Sequence, residues 1–303
     1  MKKIFLLFIA LFSSIGFLYS QKADSLFASA FSKYQSGDYK GSVENYTLAI
    51  KIKPDYNDAY FNRAISYDKM GEYKKALADF TKIISSAPTA EVYLNRGQVF
   101  QHSGKYKEAI GDFSKVIELN PSFDIAYMCR AEAYFQTGIY DLAIDDYNKI
   151  ISEYPKYAPA YYKLGVVYDE MLEYEKAIFS YTLALHYDST DARSYYNRGY
   201  DYDELEQNEE AVKDFTKAIA HDTAFTDAFF NRAYIYDELK MYEKAITDYT
   251  KVIALDPESP DAYFNRGLAK LSLGRHAESC SDILKAAQLG DKEAWKYYKQ
   301  NCN

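Results

Sequence analysis

Apolar, small and polar positions recur together along this chain every 34 residues. The register shows in strings such as Tyr60-Phe61-Asn62-Arg63-Ala64 and Tyr263-Phe264-Asn265-Arg266-Gly267, and in the spacing of the prolines. Eight units cover 23–56, 57–89, 90–123, 124–157, 158–191, 192–225, 226–259 and 260–293, one of them a residue short. Counting from each start, position 8 is always Ala or Gly (Ala64, Gly97, Gly165 and their equivalents), and position 20 is Ala in six units (Ala76 to Ala245). Small residues let two helices approach closely. Positions 4 and 24 carry rings, as in Tyr60 with Phe80 and Tyr161 with Tyr181, large enough to fill the space between helix pairs. Gly at position 15 (Gly37, Gly71, Gly104, Gly138, Gly274) supplies a turn, and Pro at position 32 (Pro54, Pro88, Pro121, Pro155, Pro257) stops a second helix. Each unit therefore predicts two antiparallel helices. A final amphipathic helix over 291–301, with Trp295, Tyr297 and Tyr298, would cap the open apolar end of the stack.

This pattern closely resembles the tetratricopeptide repeat and covers everything after the first twenty residues. The resemblance implies an all-α fold, a right-handed α-solenoid or superhelix of antiparallel helix pairs, with 21–303 as a single solenoid. A helix turns 100° per residue, which puts positions 4, 7, 8 and 11 on one side and 2, 5, 6, 9, 12 and 13 on the other. The first set packs. The resemblance implies that the second lines a concave groove.

Position 6 is Asn in five units: Asn62, Asn95, Asn197, Asn231 and Asn265. A carboxamide offers both a donor and an acceptor to the backbone of an extended peptide. The column resembles the asparagine ladder in the tetratricopeptide arm of O-linked N-acetylglucosamine transferase, although nothing here resembles that enzyme's catalytic region. The competing reading is a duplicated unit whose Asn was never replaced. The ladder is broken by Ala28, Cys129 and Lys163, which leaves room for two binding segments. Five net hydrogen bonds of about 0.5–1.5 kcal/mol each would be largely consumed by association entropy, so side-chain pockets must add to them. The ring-bearing candidates are Phe61, Tyr162, Tyr196, Tyr200, Phe230, Tyr234 and Phe264. Position 12 is Asp in four units (Asp68, Asp169, Asp203, Asp237), three of them followed by Glu, which favours a partner of basic character over a merely solvated helix end. The basic constellation with which co-chaperones of this family clamp a C-terminal carboxylate is absent.

Six units have Arg at position 7, and the same six have Asp at position 23: Arg63 and Asp79, Arg96 and Asp112, Arg130 and Asp146, Arg198 and Asp214, Arg232 and Asp248, Arg266 and Asp282. The two units without the Arg, having Ser29 and Leu164, also lack the Asp, having Asn45 and Ser180. Matched loss points to salt bridges inside each hairpin rather than to ligand contacts.

The first twenty residues read differently. Lys2 and Lys3 precede an apolar run from Ile4 to Leu18, the layout of a signal peptide over 1–20 cleaved near Ser20, with an uncleaved membrane anchor as the alternative. The expected location is therefore periplasmic or secreted. Lys and Arg number 36 against 44 Asp and Glu, which disfavours nucleic acid and anionic membrane surfaces. Of three cysteines, Cys280 and Cys302 form a candidate disulfide through an antiparallel return near Gly290, while Cys129 has no evident mate. The four His stand in no metal-ligand spacing, and no phosphate loop, nucleophile elbow or HExxH string is present. The expectation is a protein without cofactor, metal, small-molecule substrate or catalytic centre. It would bind an extended or helical protein segment in its groove, or alternatively serve as an assembly spacer in the cell envelope through its convex face.

Overall fold

A computed structural model describes residues 20–302, so the leader expected over 1–20 lies outside the described residues except for Ser20. Every regular element described is a helix. Contacts divide the chain after Ile150 into two compact units. The first holds α1 (20–35), α2 (Tyr39–Ile52), α3 (Asn57–Lys69), α4 (Tyr73–Ile84), α5 (Ala90–His102), α6 (Tyr106–Leu119), α7 (Asp124–Gln136) and α8 (Tyr140–Glu153), whose end passes the division. The second holds α9 (Ala158–Glu170), α10 (Tyr174–Tyr187), α11 (Ala192–Glu204), α12 (Asn208–His221), α13 (Thr226–Glu238), α14 (Tyr242–Leu255), α15 (Pro260–Ser272), α16 (His276–Gln288) and α17 (Lys292–Asn301). Helices α3, α5, α7, α9, α11, α13 and α15 start at the residues where the sequence units start. Each is followed by its hairpin partner, and within each unit a second helix packs on the first helix of the next hairpin, as α2 does on α3 and α10 on α11. None of the described helices is long and apolar enough to cross a membrane.

The turn inside each hairpin needs one left-handed residue. Gly37, Gly71, Gly104, Gly138 and Gly274 take φ between 72° and 83°, where glycine carries no steric cost. Three hairpins do without it: Leu172, Glu206 and Lys240 adopt φ of 59°, 57° and 59° at the same position. In both kinds of turn the next N–H donates to the carbonyl five residues back, as Asp38 does to Lys33 and Glu173 to Tyr168.

Position 8 is small because a ring lies on it. A Cβ on Gly97 would stand 2.6 Å from the Phe113 ring, and one on Gly165 2.6 Å from the Tyr181 ring. Two further columns are buried that the helical-face argument did not single out. Position 3 (Ala59, Val92, Ala126, Ala160, Ser194, Ala228, Ala262) and position 10 (Ser66, Val99, Ala133, Val167, Asp201, Ile235, Ala269) sit at the contact between hairpins. Ser66 at position 10 shows the geometry, its hydroxyl 3.1 Å from that of Ser42 on the preceding second helix.

The Arg side chains tie three helices together. Arg63 donates through Nε and Nη2 to Asp79 at 2.8 Å each, and through Nη1 to Thr47 of the preceding hairpin at 3.0 Å. The same fork recurs in Arg96 (Asp112, Thr81), Arg130 (Asp146, Ser114), Arg198 (Asp214, Thr182), Arg232 (Asp248, Thr216) and Arg266 (Asp282, Thr250). The six Asp are 5–6% exposed, so each pair is desolvated and held by paired charge-assisted bonds. In the first hairpin Asn45 donates instead to the Ser29 hydroxyl at 2.9 Å. In the fifth, Leu164 is buried and Ser180 donates to its own helix at Lys176.

At the C-terminal end Cys280 on α16 is joined by a disulfide to Cys302 at the end of α17, Cα–Cα 5.6 Å. Asp291 caps α17 by accepting from the N–H groups of Glu293 and Ala294. Helix α17 thereby covers Ile283 and Ala286 with Ala294, Tyr297 and Tyr298.

Candidate functional site

The side of the first helices turned away from the Arg forks carries the candidate binding residues, and their states differ between positions. The five Asn do not all present a free carboxamide. Asn62 and Asn95 donate Nδ2 to their own helices, to the carbonyls of Asp58 and Glu91 at 2.8 Å. Asn197 donates to the Tyr181 hydroxyl at 3.3 Å and approaches that of Tyr162 at 3.5 Å, and Asn231 donates to the Tyr196 hydroxyl at 3.1 Å. Asn265 is half-buried on α15. In the four with donors engaged, the carboxamide oxygen is the group left to meet a peptide N–H.

The rings of position 5 are not free surface. Phe61 stands edge-on to Phe80 at 5.5 Å, Tyr196 packs on Phe215 and Phe225, Phe230 on Tyr249, and Phe264 on Tyr297. All four are half-buried and serve the contact between hairpins. Position 5 borders position 8, which is buried in every hairpin, and the next hairpin covers it. The exposed rings on this side are instead Phe31 (43%), Tyr200 (38%) and Tyr234 (47%), all at position 9.

In the first unit, Tyr34, Asp68, Phe80, Asn95, Val99 and His102 contribute to a cavity of about 220 Å³. Asp68 accepts from or faces His102 Nδ1 at 2.9 Å, so its carboxylate is already partnered. Cys129 is half-buried, and burial pushes its thiol above the usual range. A raised thiol is a poor nucleophile at neutral pH.

The second unit gathers carboxyl groups. Asp169, Asp203 and Asp237 at position 12 are half-buried, and burial first, then neighbouring Glu side chains, raises each above the ordinary carboxylate range. Asp237 Oδ1 is buried without a hydrogen-bond partner. Asp201 goes further. It occupies position 10, where the other hairpins of the array hold Ser, Val, Ala or Ile, and it is 0% exposed. Neither carboxylate oxygen has a partner among the hydrogen-bond donors around it. Burial, the Asp169 charge and a hydrogen bond to Asp169, with a smaller effect of Glu204, push its pKa up to about 9. Asp201 is therefore protonated at neutral pH and donates to Asp169, whose own rise that bond tempers. Tyr181, 0% exposed beneath them, is raised well beyond the ordinary tyrosine range by burial first and then by the two carboxyl groups. The sequence held one signal for this feature: a single Asp in a column otherwise apolar or small.

Among the described residues no group of three or more His, Cys, Asp or Glu is placed to hold a metal ion. What the arrangement offers is a row of half-buried acids, each raised above the ordinary carboxylate range, beside two exposed phenols.

Comparison with known proteins matches this chain to tetratricopeptide repeat models over 58–89, 90–123, 126–157, 158–191, 192–222 and 260–289, and to further TPR repeat models over 32–71 and 236–274. Among solved structures, the C-terminal part of a TPR repeat-containing protein from Cytophaga hutchinsonii is 20% identical, covering 79% of this chain and 98% of its own, with a TM-score of 0.67. MamA protein is 29% identical over 57% of this chain and 94% of its own, TM-score 0.53. YrrB, described as a TPR protein with an unusual peptide-binding site, is 24% identical over 62% and 97%, TM-score 0.55.

Proposed function

Because the chain belongs to the tetratricopeptide repeat family, whose members are protein-interaction scaffolds, we propose that it is a non-catalytic scaffold that holds an extended or helical segment of a partner protein along its first helices. The observation that carries this reading is the surface of the second unit, where Tyr200 and Tyr234 stand exposed beside the half-buried acids Asp169, Asp203 and Asp237. Exposed phenols supply contact area at low entropic cost, and acids select a partner of basic character. The carboxamide oxygens of Asn197 and Asn231 would accept from the segment's backbone, and Asn62, Asn95 and Asn265 would do the same on their own hairpins. Replacing Asn62, Asn197, Asn231 and Asn265 together by Ala and repeating capture from the native envelope tests it. Capture at the parent level removes the groove model.

A second reading is a structural spacer docked through the outer, second helices. Phe179 on α10 is 64% exposed and Leu48 on α2 is 49% exposed, which favours contact there. The Asn replacements leave that contact intact, so the same experiment separates the two.

Export to the periplasm or medium, with the leader cleaved near Ser20, is part of the proposal. The leader pattern and the Cys280–Cys302 cross-link, which persists in oxidising compartments, support it. Nucleic acid and small-molecule substrates are not part of the proposed function, and membrane contact would come only through an uncleaved leader.

A further inference from the structure

An Asp has no packing reason to occupy position 10. Val99, Val167 and Ile235 fill the same place in other hairpins, and an ionisable group there is costly unless something compensates its charge. Nothing around Asp201 does so: both oxygens lack a donor. The groups acting most strongly on it are Asp169 and Glu204, and those acting on Asp169 are Asp201, Glu170 and Glu204, carboxyl groups throughout. From α10, Tyr174 donates to Glu204 at 3.4 Å and Tyr181 lies below the pair, taking its hydrogen bond from Asn197. From α11, Tyr200 also bonds to Glu204. Of the cations of these hairpins, Lys176 pairs with Glu173, Arg193 with Asp191, Arg198 with Asp214 and Lys213 with Glu210, and Lys163 has an interaction of its own. The arrangement is an acidic recess with a fully buried floor that no cation or donor partners, and a half-open mouth formed by Asp169, Glu204 and Tyr200.

We propose that this recess is the receptor for one lysine ammonium of the bound segment, which sits on Asp169 and Glu204, and that Asp201 strengthens it from below by losing its proton as the ammonium arrives. The proton leaves to solvent and the carboxylate it exposes is balanced by the incoming positive charge, so no other reactant is needed. Asp201 touches no ligand atom and acts through Asp169, as a positioning residue. The inference rests on the scaffold reading above and adds which residue of the partner is chosen, and where.

Because binding displaces a proton, affinity for a lysine peptide must rise with pH while the carboxyl pair is partly protonated. The test uses the whole protein and two blocked alanine–threonine peptides, one with a single central lysine and the other with glutamine in its place, followed by fluorescence anisotropy from pH 6 to 8. The expected result is a preference for lysine of about tenfold or more at pH 8 that shrinks toward pH 6. Asp169→Asn should abolish the preference, and Asp201→Asn should abolish its pH dependence while glutamine-peptide binding stays unchanged. Asp201→Val, a residue the position accepts in other hairpins, checks that the loss is not a folding defect. Equal binding of the two peptides, or a lysine preference flat with pH in the parent, overturns the recess and leaves the scaffold reading standing. Failure of both peptides to bind at all overturns the scaffold reading and the recess with it.

Discussion

Replacing Asp201 by Val should stabilise the protein at neutral pH and do little in acid. Asp201 has a pKa of about 9 in the fold, against an ordinary carboxyl value near 4 in the unfolded chain. Across the window between those values the folded state holds a proton that the unfolded state has lost. Stability therefore falls as pH rises through that window: the contribution of this bound proton is full below about pH 4 and lost above about pH 9. At 1.36 kcal/mol per pH unit, the three units between pH 4 and pH 7 correspond to about 4 kcal/mol, a ceiling because Asp169 shares the proton. Valine removes the titration and fits a place where Val99 and Val167 are buried in equivalent hairpins. Urea unfolding followed by circular dichroism at pH 4, 7 and 8.5 should show the variant gaining on its parent by a margin that widens with pH. If the margin at pH 8.5 equals that at pH 4, the buried carboxyl is not the proton store described above.

Arg232→Ala should cost about 3–5 kcal/mol in urea unfolding, because Asp248, 5% exposed, is left charged without its partner. Arg232→Leu combined with Asp248→Ser, the pair that the fifth hairpin carries as Leu164 and Ser180, should recover most of that loss. Leu172→Gly should add about 1 kcal/mol, measured the same way, since the residue holds φ 59° in the left-handed region. Cys302→Ser should remove about 3 kcal/mol from the C-terminal hairpin, the loop-closure value for a separation of 22 residues. Hydrogen exchange would locate that loss in the amides of α17.

The hairpins were legible because packing repeats. Gly or Ala at position 8 and rings at position 24 are contacts made again in every unit, so one local rule, applied along the chain, finds each helix start. The Arg and Asp pairs were legible for the same reason, through their joint absence at Ser29 with Asn45 and at Leu164 with Ser180. The third arm of the fork also leaves a trace in the sequence: a hydroxyl at position 25 (Thr47, Thr81, Ser114, Thr182, Thr216, Thr250) wherever the next unit has Arg, and Asn148 ahead of Leu164. What a helical wheel could not supply is how deeply the neighbouring hairpin covers a face. Phe61 and Phe264 fall on the open side by angle and yet pack, while Tyr200 and Tyr234 stay exposed. Asp201 was hidden by the same limit, because position 10 is buried only through contact between hairpins.

The central claim is that a partner lies along the first helices of this scaffold. A photo-reactive side chain placed at Tyr200 or Tyr234, compared with the same group at Phe179 on a second helix, tests it in intact cells of the source organism. Cross-links to one partner from Tyr200 and Tyr234, and none from Phe179, are the predicted result. Cross-links from Phe179 alone would place the partner on the outer helices and contradict the account.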